Sequence, residues 1–317
     1  MKIYLFKAML WGLHTMLWPF IYDPSPPAVH HVYKNLKYGV EDNQVLDIFT
    51  PEGSGKRPLL LWLHGGGFLS GDKAYYYRIC REFASKGLVV FNVNYRLSPQ
   101  AQYPDQVRDV HLAVQWALGK ARDFGGDPAA LFLAGDSAGA NLAATYAALA
   151  DDSALVESFD INPPPARGAI RGLLLFYGVY DLVDLLERDF PYKESLLEAF
   201  MGPDKSSYQR RTWLASPQLH LTAGFPPCFV SAGEIDFAFY QSQRFCEALE
   251  ARGVPHAKLF FAKMDYPSAN HAFLNFYRRE PAREAMKQAF EFIDGLGLAG
   301  LAHTGDSPPL FIDALHR

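Results

Sequence analysis

Between Leu59 and Phe261 the chain alternates continuous apolar runs of strand length with segments of helix length, a rhythm that few folds accommodate. The runs are Leu59 to Leu63, Leu88 to Asn94, Ala130 to Ala134, Gly172 to Tyr177, Cys228 to Ala232 and Lys258 to Phe261. A strand that is apolar throughout, rather than at alternate positions, is covered on both faces. This predicts a mostly parallel sheet with helices on either side. Helices are predicted over Asp105 to Arg122, Ala138 to Ala150, Tyr240 to Ala251 and Ala282 to Ile293, and two short β-like runs lie between Tyr33 and Thr50. A chain of 317 residues, 49% hydrophobic and 20% charged, has the bulk for such a core.

Two regions break the rhythm. Tyr180 to Pro217 falls between two core strands and carries Leu185, Leu186, Phe190, Tyr192, Phe200 and Trp213. Long excursions of this kind are often lids or binding loops. At the N-terminus, Lys2 and Lys7 precede an apolar stretch, Ala8 to Tyr22, interrupted by His14 and closed by Pro19. Leu10, Leu13, Leu17 and Phe20 fall at helical spacing. The stretch is short for a membrane span and lacks a signal-peptide cleavage pattern, so a packing or lid helix is preferred to a membrane anchor through residues 1–22. A formal net charge of -4 gives no footprint for nucleic acid. Cys80, Cys228 and Cys246 form no CxxC pair and are odd in number, which points to reduced thiols in a cytoplasmic protein.

Gly135-Asp136-Ser137-Ala138-Gly139 joins an apolar strand to an Ala-rich helix. That is the strand-turn-helix context of a nucleophile elbow, where glycines let a serine project from a strained turn. His64-Gly65-Gly66-Gly67-Phe68 follows another strand directly. Glycines at a strand's carboxyl end can aim backbone N–H groups at the charge that develops in acyl transfer. Gly65 and Gly66, with Ala138, are the expected oxyanion donors. His64 is expected to brace the loop, and Gly67, Gly135, Asp136 and Gly139 to support the two motifs.

A serine hydroxyl needs a base, and the base an orienting carboxylate. His271 lies between the last strand run and the last strong helix, where a loop reaches the sheet's carboxyl edge. His256 opens that strand at its far end, His220 precedes an earlier strand, and His303 and His316 belong to the tail. Asp236, just past the run Cys228 to Ala232, is the favoured acid, with Glu234 and Asp265 as alternatives.

Together these segments resemble the hormone-sensitive-lipase family of α/β-hydrolases, also called bacterial family IV esterases. The resemblance runs from Val45 to Phe290 and includes Asn94-Tyr95-Arg96-Leu97-Ser98-Pro99, Ser216-Pro217, Gly224-Phe225-Pro226-Pro227 and His271-Ala272-Phe273. It implies an α/β-hydrolase fold with a helical cap and carboxylic-ester hydrolysis, usually of short to medium acyl chains, without metal or cofactor. The organisation expected is a cap from 1–35 and 180–215, a catalytic domain from 36–179 and 216–295, and a peripheral tail from 296–317. The expected partner is a small-molecule ester, and a homodimer is compatible with the sequence. Asn94 and Gln100 stand where the family commonly has acids, so neutral hydrogen bonds are expected around Arg96. Asp236 is followed by Phe237-Ala238 instead of the usual Pro-Leu. An amidase or deacetylase would use the same residues, and a non-catalytic receptor of this fold would typically have lost one of the three.

Overall fold

The computed structural model describes residues 12, 16, 21–53, 55–163, 165, 166, 168–188 and 193–297. Within them one sheet is built from β1 (His31–Lys37), β2 (Val45–Thr50), β3 (Arg57–Leu63), β4 (Val89–Val93), β5 (Gly126–Asp136), β6 (Ile170–Phe176), β7 (Cys228–Gly233) and β8 (His256–Phe261). Their order is β1-β2-β4-β3-β5-β6-β7-β8. The β1–β2 and β2–β4 pairs are antiparallel and the remaining pairs parallel. The helices are α1 (Tyr77–Ser85), α2 (Asp105–Lys120), α3 (Ala138–Ala148), α4 (Ser153–Phe159), α5 (Leu182–Glu187), α6 (Lys193–Met201), α7 (Tyr208–Leu214), α8 (Phe239–Ala251) and α9 (Glu280–Gly295).

The six apolar runs are β3 to β8, and their continuity has a direct cause. Leu59, Leu61, Leu63, Leu131, Leu133, Leu173 and Leu175 point to one face, where α2, α3 and α8 cover them. Leu60, Trp62, Phe132, Ala134, Leu174 and Phe176 point to the other, under α1 and α9. Alternate side chains thus serve two cores, and past the first residues of β5 and β6 no position on these central strands is left for a polar residue to face water. The edge strand β1 differs, being largely exposed. Its sequence HVYKNLK does not read as a buried run, and so the sheet begins at His31, inside the segment assigned to the cap. All three cysteines are buried and unpaired, and burial pushes the Cys246 thiol up to about 12.

The excursion after β6 carries α5, α6 and α7. Asn141, one turn into α3, donates from Nδ2 to the carbonyls of Val179 and Ala215, both at 2.8 Å, and so ties the two ends of the excursion to the helix behind Ser137. Residues 1–11, 13–15 and 17–20, the tail from 298, and Phe190 and Tyr192 lie outside the described residues, and with them the N-terminal lid or anchor readings, His303 and His316. Among the described residues no helix is long and apolar enough to cross a membrane.

The expectation for Arg96 is corrected. Its guanidinium pairs with the buried carboxylate of Asp109, with contacts of 2.7 to 3.0 Å, so a charged pair persists. Asn94 serves another purpose. It accepts the Lys73 N–H at 2.6 Å and donates to Asp72 at 2.8 Å, pinning the segment that follows the glycine loop. Lys73 is itself buried, with Nζ 2.7 Å from Asp47 Oδ1 and 2.8 Å from Asn35 Oδ1. Removing one partner of a buried pair strands the other charge, at a cost of about 3–5 kcal/mol. Asp47→Ala is therefore expected to lower the unfolding free energy by about 3 kcal/mol in urea titration. The double variant Asp47→Leu/Lys73→Met should recover most of that loss, and an equal or larger loss in the double variant would contradict this account.

Candidate active site

The parallel register places Leu63 of β3 beside Gly135 of β5. Beyond this point the chain turns from β3 toward β4 and from β5 toward β6, on opposite sides. Loops that diverge at the carboxyl ends of neighbouring strands leave a crevice between them. The three-glycine loop and Ser137 stand on its two sides.

Ser137 has φ 50° and ψ −116°, a conformation L-residues avoid. It is held there by a hydrogen bond from its N–H to the Phe176 carbonyl, at 2.9 Å, and by close packing of the turn on β3. A Cβ at Gly139 would collide with the Leu63 carbonyl, and one at Gly135 would stand 2.7 Å from the same oxygen. The glycines of the motif therefore let the turn sit against the neighbouring strand, which aims the serine side chain outward.

Ser137 Oγ lies 2.9 Å from His271 Nε2, and His271 Nδ1 lies 2.9 and 3.0 Å from the two oxygens of Asp236. His271 is in the loop after β8 and Asp236 in the turn after β7. These loops touch where a Cβ on Gly233 would run into the Ala269 carbonyl. Asp236 is buried, and its Oδ1 also accepts the Ala238 N–H at 2.8 Å. A carboxylate facing Nδ1 favours the proton there, which leaves Nε2 as an acceptor toward the hydroxyl. The imidazole has aromatic neighbours on two sides, the buried Tyr177 at 5.1 Å and the exposed Phe237 at 4.7 Å between ring centroids.

The alternative residues are engaged elsewhere. Glu234 accepts the Lys263 N–H at 2.8 Å and Asp265 is exposed. His220 Nε2 lies 2.9 Å from the Trp213 carbonyl, and His256 sits at the start of β8, the end of the strand remote from Ser137. Among the described residues no group of three or more His, Cys, Asp or Glu side chains is arranged to hold a metal ion.

The glycine loop departs from expectation at Gly65. Its N–H is directed to Asp136 Oδ1 at 2.8 Å and to the Tyr76 hydroxyl at 3.0 Å, and Tyr76 in turn donates to Asp136 Oδ2 at 2.9 Å. A donor spent on a carboxylate and a phenol is not available to an oxyanion, so Gly65 is withdrawn from that role. Gly66 and Gly67 follow with φ of 121° and 61°, and their amides are the loop's remaining donors beside Ala138. His64 Nδ1 lies 2.7 Å from the Gly65 carbonyl, and its ring stacks on Tyr95 at 4.3 Å. Tyr95 donates to the His64 carbonyl at 2.8 Å, which holds the loop from behind. Phe68, just past the glycines, stacks on Phe200 of α6 at 4.0 Å, joining the loop to the excursion after β6. Tyr76 escapes a sequence reading because Tyr75, Tyr76 and Tyr77 are consecutive, and nothing in the run says which ring turns inward.

Comparison with known proteins identifies the fold that carries this site. A family profile described as alpha/beta hydrolase fold matches residues 60–275. Esterase LipQ of Mycobacterium tuberculosis is 31% identical over 264 residues, 79% of this chain and 60% of that protein. The probable carboxylic ester hydrolase LipM of the same organism is 30% identical over 224 residues, 69% of this chain and 50% of that protein. The chain thus spans between half and three-fifths of the length of these curated relatives. Esterase B from Lactobacillus rhamnosis superposes with a TM-score of 0.82 at 21% identity, over 93% of this chain and 95% of that one. The esterase of the archaeon Pyrobaculum calidifontis gives 0.74 at 24%, over 94% and 93%. At these identities the superpositions speak to the fold.

Asp136 yields a test of the clamp beneath the loop. Burial pushes its carboxyl up to about 6, against the lowering effects of the Tyr76 hydroxyl, the His271 charge and the Gly65 N–H. Between the ordinary value of 3.8 and about 6 the native protein keeps a proton that the unfolded chain has released. The resulting stabilisation is complete below that window, declines as pH rises through it and stays flat above. The difference in unfolding free energy between the wild type and Asp136→Asn is therefore expected to fall as pH is raised from about 4 to about 6.5, by at most ~1.4 kcal/mol per pH unit. Urea titrations across that range check it. A constant difference would contradict it.

Proposed function

We propose that this chain, which belongs to the alpha/beta hydrolase fold family, is a serine carboxylesterase that forms an acyl-enzyme on Ser137. The observation that carries the reading is the continuous contact from Ser137 Oγ through His271 to Asp236, each step within 3.0 Å. A hydroxyl is a weak nucleophile at neutral pH, and a base at hydrogen-bond distance removes its proton as the carbon–oxygen bond forms. The buried carboxylate of Asp236 orients the ring and stabilises the imidazolium that results.

In this reading Oγ attacks the ester carbonyl and His271 Nε2 takes the proton. The carbonyl oxygen becomes an oxyanion facing the N–H groups of Gly66, Gly67 and Ala138, and the start of α3 adds its favourable field. His271 then gives its proton to the departing alcohol. Water, deprotonated by the same nitrogen, attacks the acyl carbon; the bond to Ser137 Oγ then breaks, His271 returns the proton to Oγ, and the acid is released. No metal or organic cofactor is needed for these steps. Names of the sequence relatives, an esterase and a probable carboxylic ester hydrolase, support an ester as the substrate. The family resemblance adds a preference for short to medium acyl chains.

Hydrolysis of p-nitrophenyl esters from acetate to laurate tests the reading. Ser137→Ala and His271→Ala are expected to lose on the order of 10⁶ in kcat, as in serine proteases with the same three groups. Asp236→Asn should lose about 10⁴. Far-UV circular dichroism should report unchanged folding in each. Near-wild-type turnover by purified Ser137→Ala would remove the nucleophile from this account.

A further inference from the structure

Phe237 is 72% exposed, an uncommon position for a large apolar ring held against a catalytic imidazole. Its centroid lies 4.7 Å from that of His271, with the planes tilted by 40°. Another neighbour of the imidazole, Tyr177, is fully buried and packs against Phe273 as well, so it belongs to the core beneath the site. Phe237 has no such buried place. It projects from the turn that supplies Asp236, where Ala238 N–H bonds the Asp236 carboxylate and Phe239 N–H the Asp236 carbonyl. The backbone on either side of Phe237 is thus fixed by the acid itself, and the ring's position beside His271 follows.

The stereochemistry of acyl transfer says what meets that ring. The carbonyl carbon of the tetrahedral intermediate bears Ser137 Oγ, the oxyanion, the acyl chain and the alkoxy oxygen. The oxyanion turns toward the backbone donors. The alkoxy oxygen must come within hydrogen-bond reach of His271 Nε2, because that nitrogen protonates it as the carbon–oxygen bond breaks. The bonding electrons leave with the oxygen, the proton neutralises it, and the acyl group remains on Ser137. The alcohol portion therefore departs along the imidazole edge, on the side open to solvent.

Building on the Ser137–His271–Asp236 reading above, we propose that Phe237 forms the apolar wall of the alcohol subsite and selects esters of bulky, preferably aromatic, alcohols. An aryl or benzyl group laid on this ring removes apolar surface of both from water, and a ring pair adds its own attraction. A methyl or ethyl group is too small to cover it. The acyl chain points away from His271 and is indifferent to residue 237.

The test uses the full chain and two butyrate esters, ethyl and benzyl, which share one acyl-enzyme and have alcohols of similar basicity. In Phe237→Ala the ratio of kcat/KM for benzyl over ethyl butyrate is expected to fall about tenfold. Phe237→Leu should restore part of it, and the ratios along a series of ethyl esters of increasing acyl length should match the wild type. An equal loss on both butyrates would make Phe237 a support for His271 and overturn the proposal. So would an unchanged benzyl-to-ethyl ratio, or a shift in acyl-length preference. The underlying reading fails separately, if Ser137→Ala retains turnover on either ester.

Discussion

The pairing of β3 with β5 is the constraint on which the rest of the site depends. Leu63 and Gly135 are register partners, and the next residues of each strand are the two halves of the proposed catalytic apparatus, the glycine loop and the serine turn. The register leaves little freedom. Gly135 and Gly139 press on the Leu63 carbonyl so closely that neither can carry a side chain without moving β3. Once the turn is seated there, Ser137 takes a backbone conformation that costs energy, and the surrounding sheet supplies it. The same contact keeps the loop amides and Ser137 at a fixed separation, which is the form of preorganisation that the proposed acyl transfer needs.

Asp136 strengthens this arrangement from inside. It sits next to Ser137 in sequence, yet its carboxylate turns to the Gly65 N–H and the Tyr76 hydroxyl. One loop's glycine is thereby fastened to the other loop's motif. The cost is a buried carboxylate whose ionisation is resisted, visible in a pKa pushed up to about 6. A hydrogen-bonded carboxylate in a nearly dry site is a rigid clamp, and rigidity beside the proposed oxyanion donors offsets that cost.

Much of this was legible in the sequence because it depends on local pattern and on topology. Continuous apolar runs mark strands that feed two cores, as Leu61 and Trp62 do on adjacent positions of β3. Ser137 is readable from its turn. His271 and Asp236 are readable as residues on loops at the carboxyl ends of later strands, and the structure brings all three together. What was not legible rests on contacts between side chains and distant backbone. Gly65 was misassigned because the direction of its N–H is set by Asp136, 71 residues away. The Arg96 network was misjudged because its acid, Asp109, lies in a helix whose facing cannot be read from the Asn94 neighbourhood. The first strand was read from Tyr33, yet the cap boundary was drawn at residue 35, because an exposed edge strand lacks the apolar run that marks the limits of its buried neighbours.

The most direct measurement of the central claim is covalent capture of the nucleophile. The protein is incubated with diethyl p-nitrophenyl phosphate, released p-nitrophenolate is counted, and the labelled peptide is sequenced by mass spectrometry. One equivalent of p-nitrophenolate per chain, a diethylphosphoryl group on Ser137, and loss of ester hydrolysis in step with labelling are expected. The His271→Ala variant should label far more slowly. A label on another residue, or ester hydrolysis that survives complete labelling of Ser137, would contradict it.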